Sequence, residues 1–285
     1  MAAWTEKIRR LTGFGTPDVQ RVATVIAVTA QKGGVGKTTC AINLATAFAR
    51  FEGLRTLLLD LDGQGHVAMA LRGEVDSSLS DCLLGRGRDV EELARPTREP
   101  GLFAVPSDKT LSATEGILAG RIGKEFLLRG AIRRARQRFD VIVVDCPPNL
   151  GNLTLNALTA ADACLIPCDM SVLALAGVAD LLNVLDTLRE RLDHDVRIAG
   201  IVATRVDRRN VKMTAAVMDG LTREYGELVC KTSIPVSSAL SRAMLEGVSV
   251  FDFDPTSAGA VAYRALASEV VERLGMRVAA QSAAL

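Results

Sequence analysis

The sequence has few of the residues that build metal clusters, disulfide scaffolds or aromatic surfaces. Its 285 residues include two histidines and six cysteines, and aromatic residues account for 4%. No two cysteines form a C-x-x-C pair, so a metal site built from Cys and His is not expected. Several cysteines lie in apolar, strand-like runs, where a free thiol behaves as a small hydrophobic side chain, and this pattern favours a reducing cytoplasm.

Long apolar runs and an excess of charge are also absent. No apolar run reaches the ~18 residues of a membrane span and no secretory signal is evident, so we expect a soluble protein without a membrane partner. The formal net charge is +1, so any surface for nucleic acid would have to be local. With 48% hydrophobic residues, the chain can build the core of one large domain or of two small ones.

From residue 22 onward, short apolar runs alternate with helical periodicities. The predicted strands cover residues 23–29, 55–60, 102–105, 140–145, 163–167, 197–203 and 228–232. The predicted helices cover residues 37–50, 112–119, 123–138, 152–160, 173–192, 211–225, 237–246 and 257–274. Because the runs TLLLD and VIVVD are continuously apolar, they are typical of strands buried on both faces of a parallel sheet. We therefore predict one doubly wound α/β domain over residues 22–285, with a mostly parallel sheet and helices on both faces.

Residues 1–21 form an N-terminal extension with a different pattern. Trp4, Ile8, Leu11 and Phe14 share one stripe of a possible amphipathic helix, surrounded by basic residues, and GTPD then ends the pattern. Two interpretations stay open. The helix either covers apolar surface of the domain or binds a partner or a membrane surface.

The segment GGVGKTT, residues 33–39, has the composition of a phosphate-binding loop. It follows the first predicted strand and opens the first predicted helix, where an α/β sheet binds its ligand. Glycines let backbone N–H groups converge on phosphate oxygens, and the helix N-terminus adds partial positive charge. Gln31 stands where the pattern G-x-x-x-x-G-K-[ST] has its first glycine, but Gly36, Lys37 and Thr38 match. Lys37 would reach the β- and γ-phosphates, and the Thr38 hydroxyl would bind Mg²⁺.

Acidic residues at two predicted strand ends support this interpretation. Asp145 follows the apolar run VIVV, and Asp60 and Asp62 come at the end of TLLLDLD. Residues two apart on a strand share a face, so we expect Asp60 and Asp62 to point the same way. A phosphate-binding loop needs an acid on a neighbouring strand to hold Mg²⁺ or its water shell, and a second acid could orient water.

These motifs together resemble the ParA/MinD group of P-loop ATPases, and most closely the ParA/Soj partition ATPases. The likeness rests on KGGVGKTT at 32–39, DLDGQGH at 60–66 and DCPPNLGNLTLNAL at 145–158, and it extends over about residues 22–274. Lys32, which the standard loop does not require, matches the family's signature lysine. In this family that lysine reaches across an ATP-sandwiched homodimer to the phosphates bound by the other subunit.

The resemblance implies a role for each matching residue. It implies Mg²⁺-dependent ATP hydrolysis with Lys32, Lys37 and Asp62 as catalytic residues. The magnesium site would consist of Thr38, Asp60 and Asp145. The implied nucleotide-binding residues are Lys32, Gly33, Gly34, Val35, Gly36, Lys37, Thr38, Thr39, Arg205 and Pro235.

The chain departs from the family pattern in its second motif. Gly63 replaces the proline that usually follows the second acid, and His66 stands where asparagine is common. A glycine at position 63 predicts a more flexible loop, and we expect hydrolysis that is slow or depends on a partner.

Proteins similar to ParA bind double-stranded DNA without sequence preference as ATP dimers, through Lys and Arg contacts to phosphates. The resemblance therefore implies DNA contacts by Arg208, Arg209 and Lys212 in TRVDRRNVK, and by Arg242. The family's second basic position aligns with Ala239, so this part of the surface is less complete. The arginine-rich stretch at 129–138 is interpreted as a solvated face that could extend the surface.

The implied function is a nucleoid-associated switch for chromosome or plasmid partition, activated by a ParB-like protein. One alternative is a positioning ATPase that uses a cargo adaptor for a protein cluster or a membrane machine. Another is a MinD-like membrane switch, for which the basic N-terminal helix would have to serve as the anchor. A redox relative such as the nitrogenase iron protein would need interface cysteines, which Cys146, Cys164 and Cys168 do not suit.

Overall fold

The centre of the fold is a sheet whose strand order is β3-β4-β2-β5-β1-β6-β7. The computed structural model describes residues 22–65, 67, 79–86, 89–108, 110–207 and 209–276. Its strands are β1 Thr24–Val28, β2 Thr56–Asp60, β3 Arg95–Pro96, β4 Leu102–Val105, β5 Val141–Asp145, β6 Ala163–Asp169 and β7 Arg197–Thr204. All neighbouring strands pair in parallel except β3, which is short and antiparallel to β4.

Helices follow most strands. The α-helices of the described residues are α1 Lys37–Arg50, α2 Leu79–Leu83, α3 Val90–Leu93, α4 Leu111–Leu118, α5 Leu127–Ala131, α6 Ala135–Arg138, α7 Asn152–Ala160, α8 Val172–Leu192, α9 Val211–Tyr225, α10 Ser238–Glu246, α11 Val250–Phe253 and α12 Ala258–Leu274. Short 3₁₀ turns lie at Lys124–Phe126 and Gly226–Leu228. None of the helices in these ranges is long and apolar enough to cross a membrane.

The sheet separates two apolar clusters, one on each face. On the central strand β1, Val25 and Ala27 belong to one cluster, and Ile26 and Val28 belong to the other. All four side chains are completely buried, which explains why the strand sequences show no polar alternation. The predicted doubly wound, mostly parallel fold is confirmed.

Two predicted elements are wrong. No strand covers 228–232: Val229 forms a single isolated bridge to Ile201, and the residues before it form a 3₁₀ turn. The apolar signal comes from burial instead, since the Cys230 thiol fills the space left by Gly200, where a Cβ would lie 2.2 Å from the sulfur.

The predicted helix 123–138 is also broken into three short pieces. Helix α7 competes for its backbone groups, because the Asn156 side chain accepts the Leu128 N–H (3.1 Å) and donates to the Lys124 carbonyl (2.7 Å). Tertiary hydrogen bonds have therefore replaced the regular helical ladder.

The strand order directs the ligand site to one place. From β1 the chain crosses over β5 to β2, and it later returns to form β5 between these two strands. It then continues to β6, which pairs with the other side of β1. In open α/β sheets, ligands bind at the carboxyl ends of the strands where the order reverses. The loop after β1 lies at this point.

Candidate functional site

The loop between β1 and α1 is held in a conformation that needs its glycines. Gly34 and Gly36 have φ angles of 74° and 94°, in the left-handed region where a Cβ is strained. Val35 between them is buried, and its carbonyl accepts a hydrogen bond from the Thr204 hydroxyl at the end of β7 (2.8 Å). The loop is thereby attached to the sheet, with Lys37 opening α1.

Lys37 is the buried cation of this loop. Its side chain is 6% exposed, and its Nζ donates to the Lys32 carbonyl (3.2 Å). Burial lowers the pKa of Lys37, and the neighbouring carboxylates of Asp145 and Asp62 oppose that shift. The ammonium group is therefore enclosed by the loop on one side and by acids on the other.

Asp60 and Asp145 stand side by side at the ends of β2 and β5, where they are direct partners in the sheet register. Both are completely buried. Asp60 accepts hydrogen bonds from the Asp62 N–H (2.9 Å), the Ser107 hydroxyl (3.1 Å) and the Val67 N–H (3.4 Å). Burial raises the pKa of Asp60 to about 6, against the effect of these hydrogen bonds.

Asp145 is less well compensated. Neither of its carboxylate oxygens has a hydrogen-bond partner among the described residues. Burial and then the charge of Asp60 raise its pKa well above 3.8, while the nearby Thr38 hydroxyl and Lys37 act in the opposite direction. A buried carboxylate without donors is costly unless a cation neutralises it.

The donor set around Asp145 fits a hard divalent cation. Mg²⁺ takes oxygen ligands and is usually bound by one or two carboxylates together with waters and substrate phosphates. Asp145, Asp60 and the Thr38 hydroxyl offer such oxygens at the mouth of the loop. No group of three or more His, Cys, Asp or Glu side chains suited to a metal occurs in the described ranges.

Asp62 does not share a strand face with Asp60, so that expectation is wrong. Strand β2 ends at Asp60, and Asp62 begins a turn in which its carbonyl accepts the Gly65 N–H (3.0 Å). Its carboxylate accepts the Gln64 N–H (3.1 Å) and is half-buried. The turn thus directs a fixed, solvent-accessible carboxylate towards the edge where the loop lies.

Lys32 extends from the front of the loop to the end of β6. Its Nζ forms an ion pair with Asp169 (2.8 Å) and donates to the Ser171 hydroxyl (3.0 Å). Burial alone would raise the pKa of Asp169, but the hydrogen bonds from Lys32 and Ser171 outweigh it and lower that pKa. The Lys32 side chain is 39% exposed, so it lies at the surface beside the loop rather than inside it.

A cavity of about 430 Å³ opens beside the loop. Its lining includes Gly34, Thr39, Arg205, Pro235, Leu240 and Tyr263. Arg205 adopts a left-handed conformation (φ 53°) and donates to the Gly34 carbonyl (3.1 Å). The cavity therefore joins the loop to the segment after β7 and to α10, and its size suits a purine base with its ribose.

Comparison with known proteins gives the family. A protein-family model described as "AAA domain" matches residues 23–198, more than half of the chain. The Soj sporulation initiation inhibitor protein of Bacillus subtilis is 36% identical over 249 residues, which are 86% of this chain and 97% of Soj. The chromosome partitioning protein ParA of Myxococcus xanthus is 36% identical over 264 residues, 92% of each chain. The chain belongs to the ParA/Soj family.

Solved structures agree with this ParA/Soj fold. Cobyrinic acid a,c-diamide synthase from Mycobacterium smegmatis, solved with a bound ATP analogue and magnesium, superposes with a TM-score of 0.77 at 32% identity. That match covers 89% of this chain and 96% of the other. The MinD septum site-determining protein of Pyrococcus horikoshii, at 22% identity and a TM-score of 0.72, shares the fold.

The basic segments of this ParA/Soj chain are only partly available for binding. Arg208 lies outside the described residues, and Lys212 is exposed on the first turn of α9. Arg209 is 85% exposed but forms an ion pair with Asp207 (2.9 Å). Hydrogen bonds from Arg209 lower the pKa of Asp207 to about 2, so the pair stays charged at neutral pH.

Helix α10 carries Arg242 on its exposed face, where the guanidinium stacks over Phe253 at 5.0 Å. Ala239, which aligns with the basic position of the family, is buried at 8% exposure. A long basic side chain at that position would have to leave the core, so the alanine belongs to the packing of α10. The second basic segment therefore has one exposed cation, Arg242.

The arginine-rich stretch 129–138 is largely neutralised by acids of its own protomer. Arg134 pairs with Asp89 and Glu92, Arg138 with Glu91, and Arg136 with Asp162. Exposed surface pairs of this kind contribute little to stability, but they reduce the charge that is available for a polyanion. This result favours the interpretation of a solvated face over an extended DNA surface.

Several residues of the site escaped sequence reasoning. Asp169 follows the same rule that found Asp60 and Asp145, an acid at a parallel strand end, but β6 runs two residues beyond its predicted limit. Ser107, in the connection after β4, and Ser112, in the first turn of α4, contact the Asp60–Gly65 segment but belong to no motif. The predicted N-terminal helix and His66 lie outside the described residues.

Proposed function

We propose that this chain is a ParA-like ATPase that partitions a chromosome or plasmid. In this proposal ATP and Mg²⁺ bind at the loop, two copies form an ATP-sandwiched homodimer, and the dimer binds double-stranded DNA without sequence preference. A ParB-like partner stimulates hydrolysis and so releases the dimer from the nucleoid. The single observation that carries the proposal is a cluster of two lysines and three acids at the carboxyl-terminal ends of the strands: Lys32, Lys37, Asp60, Asp62 and Asp145.

The magnesium site is supported by the uncompensated carboxylate of Asp145. Asp145 and Asp60 would hold the cation or its water shell, and the Thr38 hydroxyl would be a direct ligand. Bound there, Mg²⁺ neutralises charge that develops on the phosphates. Lys37, whose charge the acids sustain, would hold the β- and γ-phosphates from inside the loop.

The nucleotide would be bound by the loop amides and by the cavity beside it. Residues 33–39 supply the backbone N–H groups and the start of α1, which favour an anion. Arg205 and Pro235 are proposed to contact the base region, since both line the 430 Å³ cavity. Asp62 would orient the attacking water, because its carboxylate is accessible and fixed by its turn.

Lys32 is proposed to act on the partner's nucleotide. Its ammonium lies at the protein surface rather than over its own loop, which suits a group that reaches across an interface. A second cation near the γ-phosphate stabilises charge in the transition state, as an arginine finger does. Because Lys32 pairs with Asp169 in its own protomer, it would leave that ion pair only for the phosphates bound by the partner, and this exchange would make dimerisation depend on ATP.

The DNA-binding part of the proposal can be tested with the Asp62→Ala variant, which should bind ATP without hydrolysing it. Its binding to random-sequence duplex DNA is measured with ATP and with ADP over a salt series. We expect tight binding only with ATP, weakening steeply with salt. Because each dimer loses two phosphate contacts, adding Arg209→Glu should reduce the salt slope by about 2.

Arg98→Glu is the matched control. Arg98 is exposed in the turn before β4, at the amino-terminal end of that strand, whereas the loop lies at the carboxyl-terminal ends of the strands. Reversing the charge of Arg98 therefore changes the net charge equally without touching the proposed surface. Asp207→Asn tests the ion pair from the other side and should tighten DNA binding, since it frees Arg209 and removes a negative charge.

An ATP dimer that ignores DNA would contradict the partition proposal. Binding of the same dimer to anionic liposomes, lost on deletion of residues 1–21, would favour a MinD-like membrane switch. Indifference to both DNA and liposomes would favour a positioning ATPase that is recruited by a protein adaptor.

A further inference from the structure

The turn that carries Asp62 packs against the connection after β4 and against the first turn of α4. Asp62 is fixed within the turn by the Gly65 N–H on its carbonyl and the Gln64 N–H on its carboxylate. The turn has no regular secondary structure of its own. Its position relative to the loop therefore depends on what it contacts.

The closest of these contacts is at Gly63. A Cβ added there would lie 2.6 Å from the Ser112 hydroxyl oxygen, nearer than real Cβ atoms approach other atoms. The Ser112 amide nitrogen and Cβ would lie 3.7 Å and 3.9 Å away, which is ordinary contact. Because φ at Gly63 is not in the left-handed region, glycine is needed here for close approach rather than for backbone conformation. Gly63 therefore packs closely against the start of α4, and the greater flexibility expected of this loop stays a prediction.

Ser107, which lies in the connection between β4 and α4, contacts both ends of the Asp60–Gly65 turn. The Ser107 hydroxyl donates to Asp60 (3.1 Å) and would lie 3.8 Å from a Cβ at Gly65. Ser107 thus lies against Asp60 and Gly65, and Ser112 lies against Gly63. The two serines therefore fix the position of the turn relative to the buried carboxylate of Asp60.

We propose that Gly63 is a positioning residue for hydrolysis: its lack of a side chain lets the turn pack against Ser112 and thereby sets the place of the Asp62 carboxylate. This inference rests on the proposed role of Asp62 in orienting water. An added methyl group at position 63 would have to displace either the turn or the Ser112 hydroxyl by about 0.8 Å to reach ordinary van der Waals distance. Displacements of this size are enough to impair a catalytic group that must be held within about 0.5 Å.

The test is a cycle of Gly63→Ala, Ser112→Ala and the double variant. We expect Gly63→Ala to lower kcat at least ~10-fold, with KM for ATP and Kd for ADP changed less than ~2-fold, because the phosphate loop is not touched. In the double variant the hydroxyl is gone and only ordinary contacts remain, so kcat should recover. Gly116→Ala is the control, since a Cβ on that residue of α4 meets nothing within 4 Å.

Hydrogen exchange of the peptide containing residues 62–65 gives a readout without activity. Gly63→Ala should speed exchange of the Gln64 and Gly65 amides, and Ser112→Ala should restore it. An unchanged kcat and exchange rate in Gly63→Ala, or a double variant that stays impaired, would overturn the inference. A wild-type protein that hydrolyses no ATP would overturn the proposed function instead, and the exchange data would still decide the role of Gly63.

Discussion

Replacing Asp145 with Asn is expected to abolish ATP hydrolysis and to raise the melting temperature of the nucleotide-free protein. Asp145 is completely buried, and neither carboxylate oxygen has a hydrogen-bond partner among the described residues. Asparagine keeps the shape and removes the charge. Hydrolysis should fall at least ~100-fold, because the proposed magnesium shell loses an acid.

The stability gain should depend on pH in a defined direction. Because the pKa of Asp145 in the folded protein is raised above 3.8, ionisation at neutral pH disfavours folding. The gain from Asn should grow as the pH rises from about 4 towards the raised pKa of Asp145, and it should disappear as the pH falls to about 4, where the unfolded chain also binds the proton. We expect roughly 1–3 kcal/mol at neutral pH, measured by thermal or urea unfolding.

Lys37 limits this gain without reversing it. Asp145 sustains the charge of Lys37, so its removal costs the lysine one neighbour. Asp62 remains as a carboxylate that favours the charged form of Lys37. A lower melting temperature in Asp145→Asn would show that the carboxylate is compensated in the folded protein and would contradict the prediction.

Asp60→Asn is the informative control, because the two acids differ in their partners. Asp60 accepts three hydrogen bonds, two of them from backbone N–H groups, and an amide can accept through only one of its two terminal atoms. Asp60→Asn should therefore stabilise less than Asp145→Asn or should destabilise, although both variants lose hydrolysis.

The same contrast shows how far the sequence could predict the site. The strand ends at Asp60 and Asp145 follow from continuous apolar runs, and the loop follows from its glycines and Lys37. The sequence does not show how many hydrogen-bond donors surround each carboxylate. For Asp60 that number depends on the turn that brings the Val67 N–H back to the carboxylate and on Ser107, which approaches from the far side of β4 in the sequence.

The fold was predictable where burial dictates the pattern. Six parallel strands were predicted within about two residues at each end, because strands buried on both faces have no polar alternation. The prediction failed at 228–232, where Cys230 is buried against Gly200 without pairing in the sheet. It failed at 123–138, where Asn156 takes over backbone groups of a nominal helix. In both cases a contact distant in sequence outweighed the local pattern.

Replacing Lys32 with Ala is expected to reduce hydrolysis ~10³-fold or more and to prevent ATP-dependent dimerisation, while ADP still binds. ADP binding should persist because the loop amides and Lys37 belong to the same protomer as the nucleotide. Phosphate release, light scattering and ADP titration measure the three properties separately.

An equimolar mixture of Lys32→Ala and Asp62→Ala subunits tests whether Lys32 acts across the interface. In a mixed dimer, the site with an intact Asp62 receives Lys32 from its partner, so one of the two sites is complete. The mixture should therefore recover hydrolysis, although each variant alone is inactive; statistical pairing of the subunits would give about a quarter of the wild-type rate. No recovery would mean that Lys32 acts on its own nucleotide.

Asp169→Asn separates this role from the ion pair seen within one protomer. Lys32 pairs with Asp169 at 2.8 Å, so removing either partner breaks the pair. Were Lys32 only a structural partner of Asp169, Asp169→Asn and Lys32→Ala would be equally inactive. We expect Asp169→Asn to retain ATP-dependent dimerisation. Mixed with Lys32→Ala subunits, it should restore hydrolysis at the sites of those subunits as well as wild-type subunits do, because its Lys32 ammonium is still present. Only the ammonium group that crosses the interface should be indispensable.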